Sequence, residues 1–287
     1  VPSSNNCTWR TFVQPLDHFN GGQADGLSFE QRVCINDKFF SGAGPILFYT
    51  GNESPVEEYV NNTGLMWTMA PKLNALVVFA EHRYFGESIP VLKGVRSCLS
   101  YCTSQQALAD YATLVDALKA QHGDRPVIAF GGSYGGMLAS WARMKYPVQF
   151  QGAVAGSAPI FGFPLTNPPL DGAFQAITHA ASAGGGCSDD CKRNFLASWP
   201  VIDSLGQTAA GRNELGAVLG LCRAPGNTAE VAALLDWLQA PLFDLAEGDY
   251  PFPSTYISFA VGNKDVPLPA WPMRVACQKM TGAGVRV

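Results

Sequence analysis

The chain has 287 residues, of which 47% are hydrophobic, 11% aromatic and 15% charged, a globular composition with room for one large domain or two smaller ones. A net charge of −4 without any run of lysine or arginine leaves no basic face for a phosphate backbone, which excludes nucleic acid as a partner. No apolar stretch approaches the roughly 20 residues that span a bilayer. The eight cysteines include the close pairs Cys98/Cys102 and Cys187/Cys191, which have no histidine nearby, so no metal site is expected.

Val1 opens the chain without a charged or long apolar leader, so the sequence reads as processed or excised. Asn6-Cys7-Thr8 and Asn61-Asn62-Thr63 are glycosylation sequons with Asn6 and Asn61 as acceptors, whereas Asn52-Glu53-Ser54 is a poorer one because Pro55 follows. Together with the sequons, the cysteines read as disulfides of a lysosomal, vacuolar or secreted protein. Sequence alone leaves about 105 full pairings. Residues 8–16 and 27–35 are two extended segments joined by a turn at Asn20-Gly21-Gly22, a hairpin with Cys7 and Cys34 near its open end, either cross-linked or free.

The apolar run at 44–50 reads as a buried strand of a parallel sheet and ends in Gly51-Asn52-Glu53. A short helix over 64–72 precedes a second such strand at 74–80, which runs into Glu81-His82-Arg83-Tyr84-Phe85-Gly86. His82 reads as a hydrogen-bonded structural histidine. Thr103-Ser104-Gln105-Gln106 has the pattern of a capping box, and Ala107, Leu108, Tyr111, Leu114, Val115 and Leu118 make one apolar stripe that ends at Gly123. A third buried strand at 126–130 and a helix that stops at Pro147 flank Ser133, and 150–155 supplies another strand. Beyond 161 the texture changes: Pro164, Pro168, Pro169 and Gly184-Gly185-Gly186 interrupt it, and helical patterns follow at 190–205, 211–222 and 228–247. The expected division is 1–160 for an α/β core and 161–287 for a helical insertion, without internal repeats.

Gly131-Gly132-Ser133-Tyr134-Gly135 is a G-x-S-x-G pattern between a buried strand and a helix, the setting of a nucleophile elbow. A turn this sharp leaves no space for Cβ atoms at Gly131 and Gly135, strains the serine backbone and exposes Oγ. The Tyr134 N–H at the start of the helix is placed to bind an oxyanion, and the second donor is expected from the loop at Gly51 and Asn52.

Further stretches fall in one recognisable order: Leu16-Asp17-His18-Phe19, Phe48-Tyr49-Thr50-Gly51-Asn52-Glu53, 79–86, 106–111, 131–138 with Arg143-Met144-Lys145-Tyr146-Pro147, Ser157-Ala158-Pro159 and Asp249-Tyr250-Pro251. On these stretches, which span nearly the whole chain, it resembles the family of serine peptidases containing lysosomal Pro-Xaa carboxypeptidase and dipeptidyl peptidase II. Asn61-Asn62-Thr63-Gly64 and Leu268-Pro269-Ala270-Trp271-Pro272 look closer to the carboxypeptidase branch. The resemblance implies an α/β-hydrolase core, mostly parallel and incomplete here, with a helical cap. It makes Ser133 the nucleophile, puts Met137 near a proline-accepting pocket, and implies peptide substrates containing proline and no cofactor. It also implies a Cys187–Cys277 disulfide, with the partner of Cys222 and the aspartate and histidine of the triad beyond Val287. His179, the only histidine after Ser133, then reads as an ordinary cap histidine. The expected activity is a serine exopeptidase that cleaves after proline through an acyl-enzyme, with this chain inactive alone. Two alternatives remain: release of N-terminal Xaa-Pro dipeptides with Glu53 binding the ammonium, or an inactive truncated glycoprotein that binds peptides. Oligomeric state is left open, a homodimer included.

Overall fold

The computed structural model describes residues 2–19, 26–90, 99–162, 171–257, 260–261 and 264–280. The turn expected at Asn20-Gly21-Gly22, Cys98, and the breakers Pro164, Pro168 and Pro169 lie outside the described residues. The chain divides into two compact units, Val1–Asn167 and Pro168–Val287.

In the first unit, β1 (Thr8–Pro15), β2 (Ser28–Asn36), β3 (Ile46–Thr50), β4 (Leu76–Ala80), β5 (Val127–Gly132) and β6 (Gly152–Gly156) form one sheet in the order β1-β2-β4-β3-β5-β6. The hairpin β1–β2 is antiparallel and joins β4 antiparallel, whereas β4–β3, β3–β5 and β5–β6 are parallel. The segments at 45–50, 75–80 and 126–130 are therefore neighbours, and the α/β-hydrolase core is present. Helices α1 (Val56–Asn62), α2 (Gly64–Leu73), α3 (Ser104–His122) and α4 (Ser133–Lys145) connect and cover the strands.

The uninterrupted apolar runs of β3, β4 and β5 follow from burial on both faces. Ile46, Phe48, Leu76, Val78, Val127 and Ala129 pack with Leu108, Tyr111, Val115 and Leu138 of α3 and α4. Their alternates Leu47, Tyr49, Val77, Phe79 and Phe130 pack with Val56, Tyr59, Val60, Met66 and Trp67 of α1 and α2. Each large aliphatic or aromatic side chain so buried contributes roughly 1.5–3 kcal/mol. Helix α1 was not expected, because its seven residues include Glu57, Glu58, Asn61 and Asn62 and carry too short an apolar repeat to register as periodic.

The parallel strands, β1 among them by way of its antiparallel partner, end at one edge of the sheet. There a polar network replaces apolar packing. Arg83, just past β4, and Asp110 of α3 are both fully buried. Arg83 Nε donates to Asp110 Oδ2 at 2.6 Å and Nη2 to Asp110 Oδ1 at 2.7 Å. Its other N–H groups reach the carbonyls of Leu16, Tyr101 and Pro15 at 2.8, 3.2 and 3.2 Å, so all five donors of the guanidinium are used. His18 Nε2 lies 2.7 Å from Asp110 Oδ1. The Thr103 hydroxyl caps α3 by accepting the Gln106 N–H. The reciprocal half of the capping box is not made: the Gln106 side chain instead donates to Asp17 Oδ1 and accepts the His18 N–H.

The second unit holds α5 (Gly172–Ala180), α6 (Asp189–Gly206), α7 (Ala209–Val218), α8 (Thr228–Glu247), the short pair β7 (Ala260–Val261) and β8 (Lys264–Asp265), and α9 (Pro272–Cys277). Its disulfide is Cys191–Cys277, which corrects the expected Cys187–Cys277 bridge. The cause is where α6 begins. Ser188 caps the helix by accepting the Cys191 N–H, which puts Cys191 in the first turn, fully buried against Ala181, Met273 and Cys277. Cys187 precedes the cap as a partly exposed free thiol, and Cys222 is exposed and free. In the first unit Cys7 and Cys34 are bridged across the open end of the hairpin. On the chain-entropy model, closing the 86-residue separation stabilises the second unit by about 4–5 kcal/mol. Non-reducing peptide mapping is expected to recover one peptide pair containing Cys191 and Cys277; recovery of Cys187 with Cys277 would contradict the helix-start argument.

Candidate active site

Ser133 stands between β5 and α4 with φ +53°, in the left-handed region that costs a non-glycine residue on the order of 1–2 kcal/mol. The glycines beside it are required by space. A Cβ on Gly131 would lie 2.1 Å from the Gly135 carbonyl oxygen, and one on Gly135 2.9 Å from that of Thr50. Both would collide with backbone, which has nowhere to move. Strand and helix thus meet at van der Waals contact, and the serine side chain is left exposed at the carboxyl edge of the sheet. No described residue takes a hydrogen bond from its Oγ. The helix offers free N–H groups there, since Gly132 provides no side-chain cap.

Neighbouring loops lock the elbow in place. The Thr50 hydroxyl lies 2.7 Å from the Gly135 carbonyl and 3.0 Å from that of Phe130. Asn52 is buried; its Nδ2 donates to the Gly132 carbonyl at 2.9 Å, and its Oδ1 accepts the Glu53 N–H. Tyr111 donates to the Gly51 carbonyl at 3.1 Å. The loop after β3 is therefore tied both to the strand before Ser133 and to α3. Glu53 itself is exposed. Met137 lies one helical turn after Ser133 on the same face of α4 and is 8% exposed.

His82 is buried with both ring nitrogens engaged: Nδ1 lies 2.6 Å from the Arg83 carbonyl and Nε2 3.1 Å from the Tyr134 hydroxyl. A carbonyl only accepts, so Nδ1 carries the proton and Nε2 receives one from the phenol. Burial is the main cause that lowers the His82 pKa from 6.5 to about 4, against the Arg83 carbonyl and the Asp110 charge, which raise it. Because the folded pKa is below the unfolded one, the stabilising effect of a neutral His82 is complete above pH 6.5. It is lost as pH falls toward about 4, a total of about 3 kcal/mol. Burial, with Cys102 and Glu53 nearby, pushes the Tyr134 phenol well up.

The remaining candidates are dispersed. His179 is exposed on α5 of the second unit, and His122 packs edge-on against Phe40 at the far end of α3. Asn6 and Asn61 are both exposed, and Asn61 Oδ1 accepts the Ser4 N–H at 2.7 Å. Asn52, buried and doubly bonded, has no room for a glycan. Sequence reasoning missed the contact of His18 with Asp110 and that of Tyr134 with His82. Asp110 carried a signal for the first, as a carboxylate set among the apolar stripe residues Ala107, Tyr111 and Leu114.

The family described as serine carboxypeptidase S28 matches residues 14–286. A lysosomal Pro-X carboxypeptidase of Pongo abelii is 42% identical over 284 residues, covering 96% of this chain and 54% of the relative. That of Homo sapiens gives the same identity and coverage. Among solved structures, a PEG-bound cold-adapted esterase from an Arctic intertidal metagenomic library aligns with a TM-score of 0.36 and 14% identity over 50% of this chain and 58% of its own. The chain spans about half the length of the curated relatives it matches.

If Ser133 is held in strain, Ser133→Gly is expected to be about 1 kcal/mol more stable than Ser133→Ala, since only glycine adopts this φ freely. Urea unfolding of the two variants measures the difference, and equal midpoints would contradict the strain.

Proposed function

Because the chain belongs to the serine carboxypeptidase S28 family, we propose that it carries the nucleophile of a serine exopeptidase that cleaves peptides after proline. The observation that carries this reading is the strained, exposed Ser133 at a strand-to-helix elbow, with a helix start behind it. Ser133 Oγ attacks the carbonyl carbon of a proline residue, and the negative charge on the carbonyl oxygen falls to the Tyr134 N–H and an N–H of the Asn52 loop. A histidine takes the Oγ proton and returns it to the leaving amine, and water then releases the acyl-enzyme. Met137 is assigned to the wall that receives the proline ring.

The proton shuttle is assigned to a histidine other than those in this chain. Both ring nitrogens of His82 are engaged by Arg83 and Tyr134, His18 Nε2 is held by Asp110, His122 lies at the opposite end of α3, and among the described residues no contact joins any of the four histidines to Ser133. The relatives named lysosomal, together with two disulfides, support a lysosomal, vacuolar or secreted location. Among the described residues no helix is long and apolar enough to cross a membrane.

The test compares residues 1–287 with a chain extended to the length of the curated relatives. Substrates are an N-blocked peptide ending in Pro-Xaa and a peptide with a free Xaa-Pro N-terminus. The longer chain is expected to cleave the blocked peptide, Ser133→Ala to abolish cleavage, and the short chain to show none above buffer. Preference for the free N-terminus would transfer the assignment to dipeptide release, with Glu53 as the ammonium site. Turnover by the short chain that is lost in Ser133→Ala would refute the assignment of the base.

A further inference from the structure

We propose that His82 is a positioning residue for the nucleophile elbow: it holds the Tyr134 side chain through Nε2 and so fixes the residue whose N–H adjoins Ser133. The inference rests on the reading of Ser133 as nucleophile but concerns a different bond. His82 cannot turn, because its Nδ1–H is spent on the Arg83 carbonyl and Arg83 is itself held by Asp110 and three carbonyls. Its ring packs at 5.3, 5.5 and 6.5 Å between centroids against Phe85, Tyr134 and Tyr111. The acceptor at Nε2 is therefore a fixed point, 1% exposed, and the Tyr134 hydroxyl reaches it at 3.1 Å.

A backbone at φ +53° relaxes unless its surroundings over-determine it. Thr50 and Asn52 restrain the elbow through carbonyls on either side of Ser133, at Gly135 and Gly132. The phenol of Tyr134 adds a restraint through a side chain, at the residue that follows the nucleophile. An oxyanion donor misplaced by a fraction of an ångström loses most of its effect, so this restraint acts on rate rather than only on stability.

The bond also has a direction. When Nε2 gains a proton it becomes a donor, and the Tyr134 hydroxyl must turn to accept from it, so protonation reverses the bond. The groups facing the His82 ring are Arg83 on its own segment, Asp110 and Tyr111 of α3, and Tyr134 of α4; Cys102 and Glu53 act on Tyr134. Burial keeps the ring neutral until about pH 4, so the bond keeps this direction in mildly acidic surroundings.

The test is nitrogen-resolved NMR of the 287-residue chain, wild type against Tyr134→Phe, which removes one hydroxyl and keeps the ring. At pH 7 the wild-type His82 proton is expected on Nδ1, with Nε2 unprotonated. On acidification the Tyr134 amide resonance is expected to move with the His82 midpoint near 4. In Tyr134→Phe the ring midpoint rises, and the amide of residue 134 no longer follows it. A proton on Nε2 at pH 7, or identical titration of the amide in both proteins, overturns the proposal. Phosphonylation of Ser133 by a fluorophosphonate, in the extended chain, separates this inference from the one beneath it. Absence of any labelling at Ser133 refutes the nucleophile. Labelling at an unchanged rate in Tyr134→Phe, where a roughly fivefold slowing is expected from one lost hydrogen bond, refutes the positioning role alone.

Discussion

A single buried ion pair sets the terms for the rest of the first unit. Two full charges, Arg83 and Asp110, lie where neither touches water, a placement that costs several kcal/mol per ion unless every lone pair and proton finds a partner. Here they do. The guanidinium fork meets the carboxylate at two points and spends its remaining donors on the carbonyls of Pro15, Leu16 and Tyr101. The end of β1, the segment after β4 and the start of α3 are thus held at one point. Removing either charge leaves the other buried without its counter-charge, whereas apolar packing alone would let these loops slide. The pair contributes position more than net stability.

That position reaches Ser133 through short links. Arg83 offers its carbonyl to His82, and His82 offers Nε2 to Tyr134. Asp110 adjoins Tyr111, which donates to Gly51 in the loop that Asn52 ties to Gly132. The strained serine is the outermost element of a scaffold joined by chain neighbours and by hydrogen bonds between buried and half-buried groups. An oxyanion site built on such a scaffold is organised before substrate arrives, which is how donors act without reorganisation during reaction.

Much of this was legible in the sequence, for identifiable reasons. Strands buried on both faces must be apolar at every position, so β3, β4 and β5 stand out as runs; the glycines around Ser133 stand out because backbone meets backbone there. What was not legible depended on contacts between distant residues or on where a helix begins. His18 and Asp110 are 92 positions apart. Gln106 has the spacing of a capping residue but serves the half-buried Asp17 and His18 instead. The choice between Cys187 and Cys191 turned on Ser188 as cap, a one-turn difference that no spacing rule between cysteines contains.

The Arg83–Asp110 pair, rather than apolar packing, holds the loops at the carboxyl edge of the sheet. Native-state hydrogen exchange of the wild type and of Asp110→Asn tests it most directly, since the substitution keeps the shape and removes one charge. The expected result is a loss of protection by ~10-fold or more at the amides of His18, Tyr84 and Ser88, which donate to Gln106, to the Ser88 carbonyl and to Glu81 and the Phe85 carbonyl, with the amides of β3 and β4 changed only by the drop in global stability. A uniform fall across the whole unit, or no change at the loop amides, would contradict it.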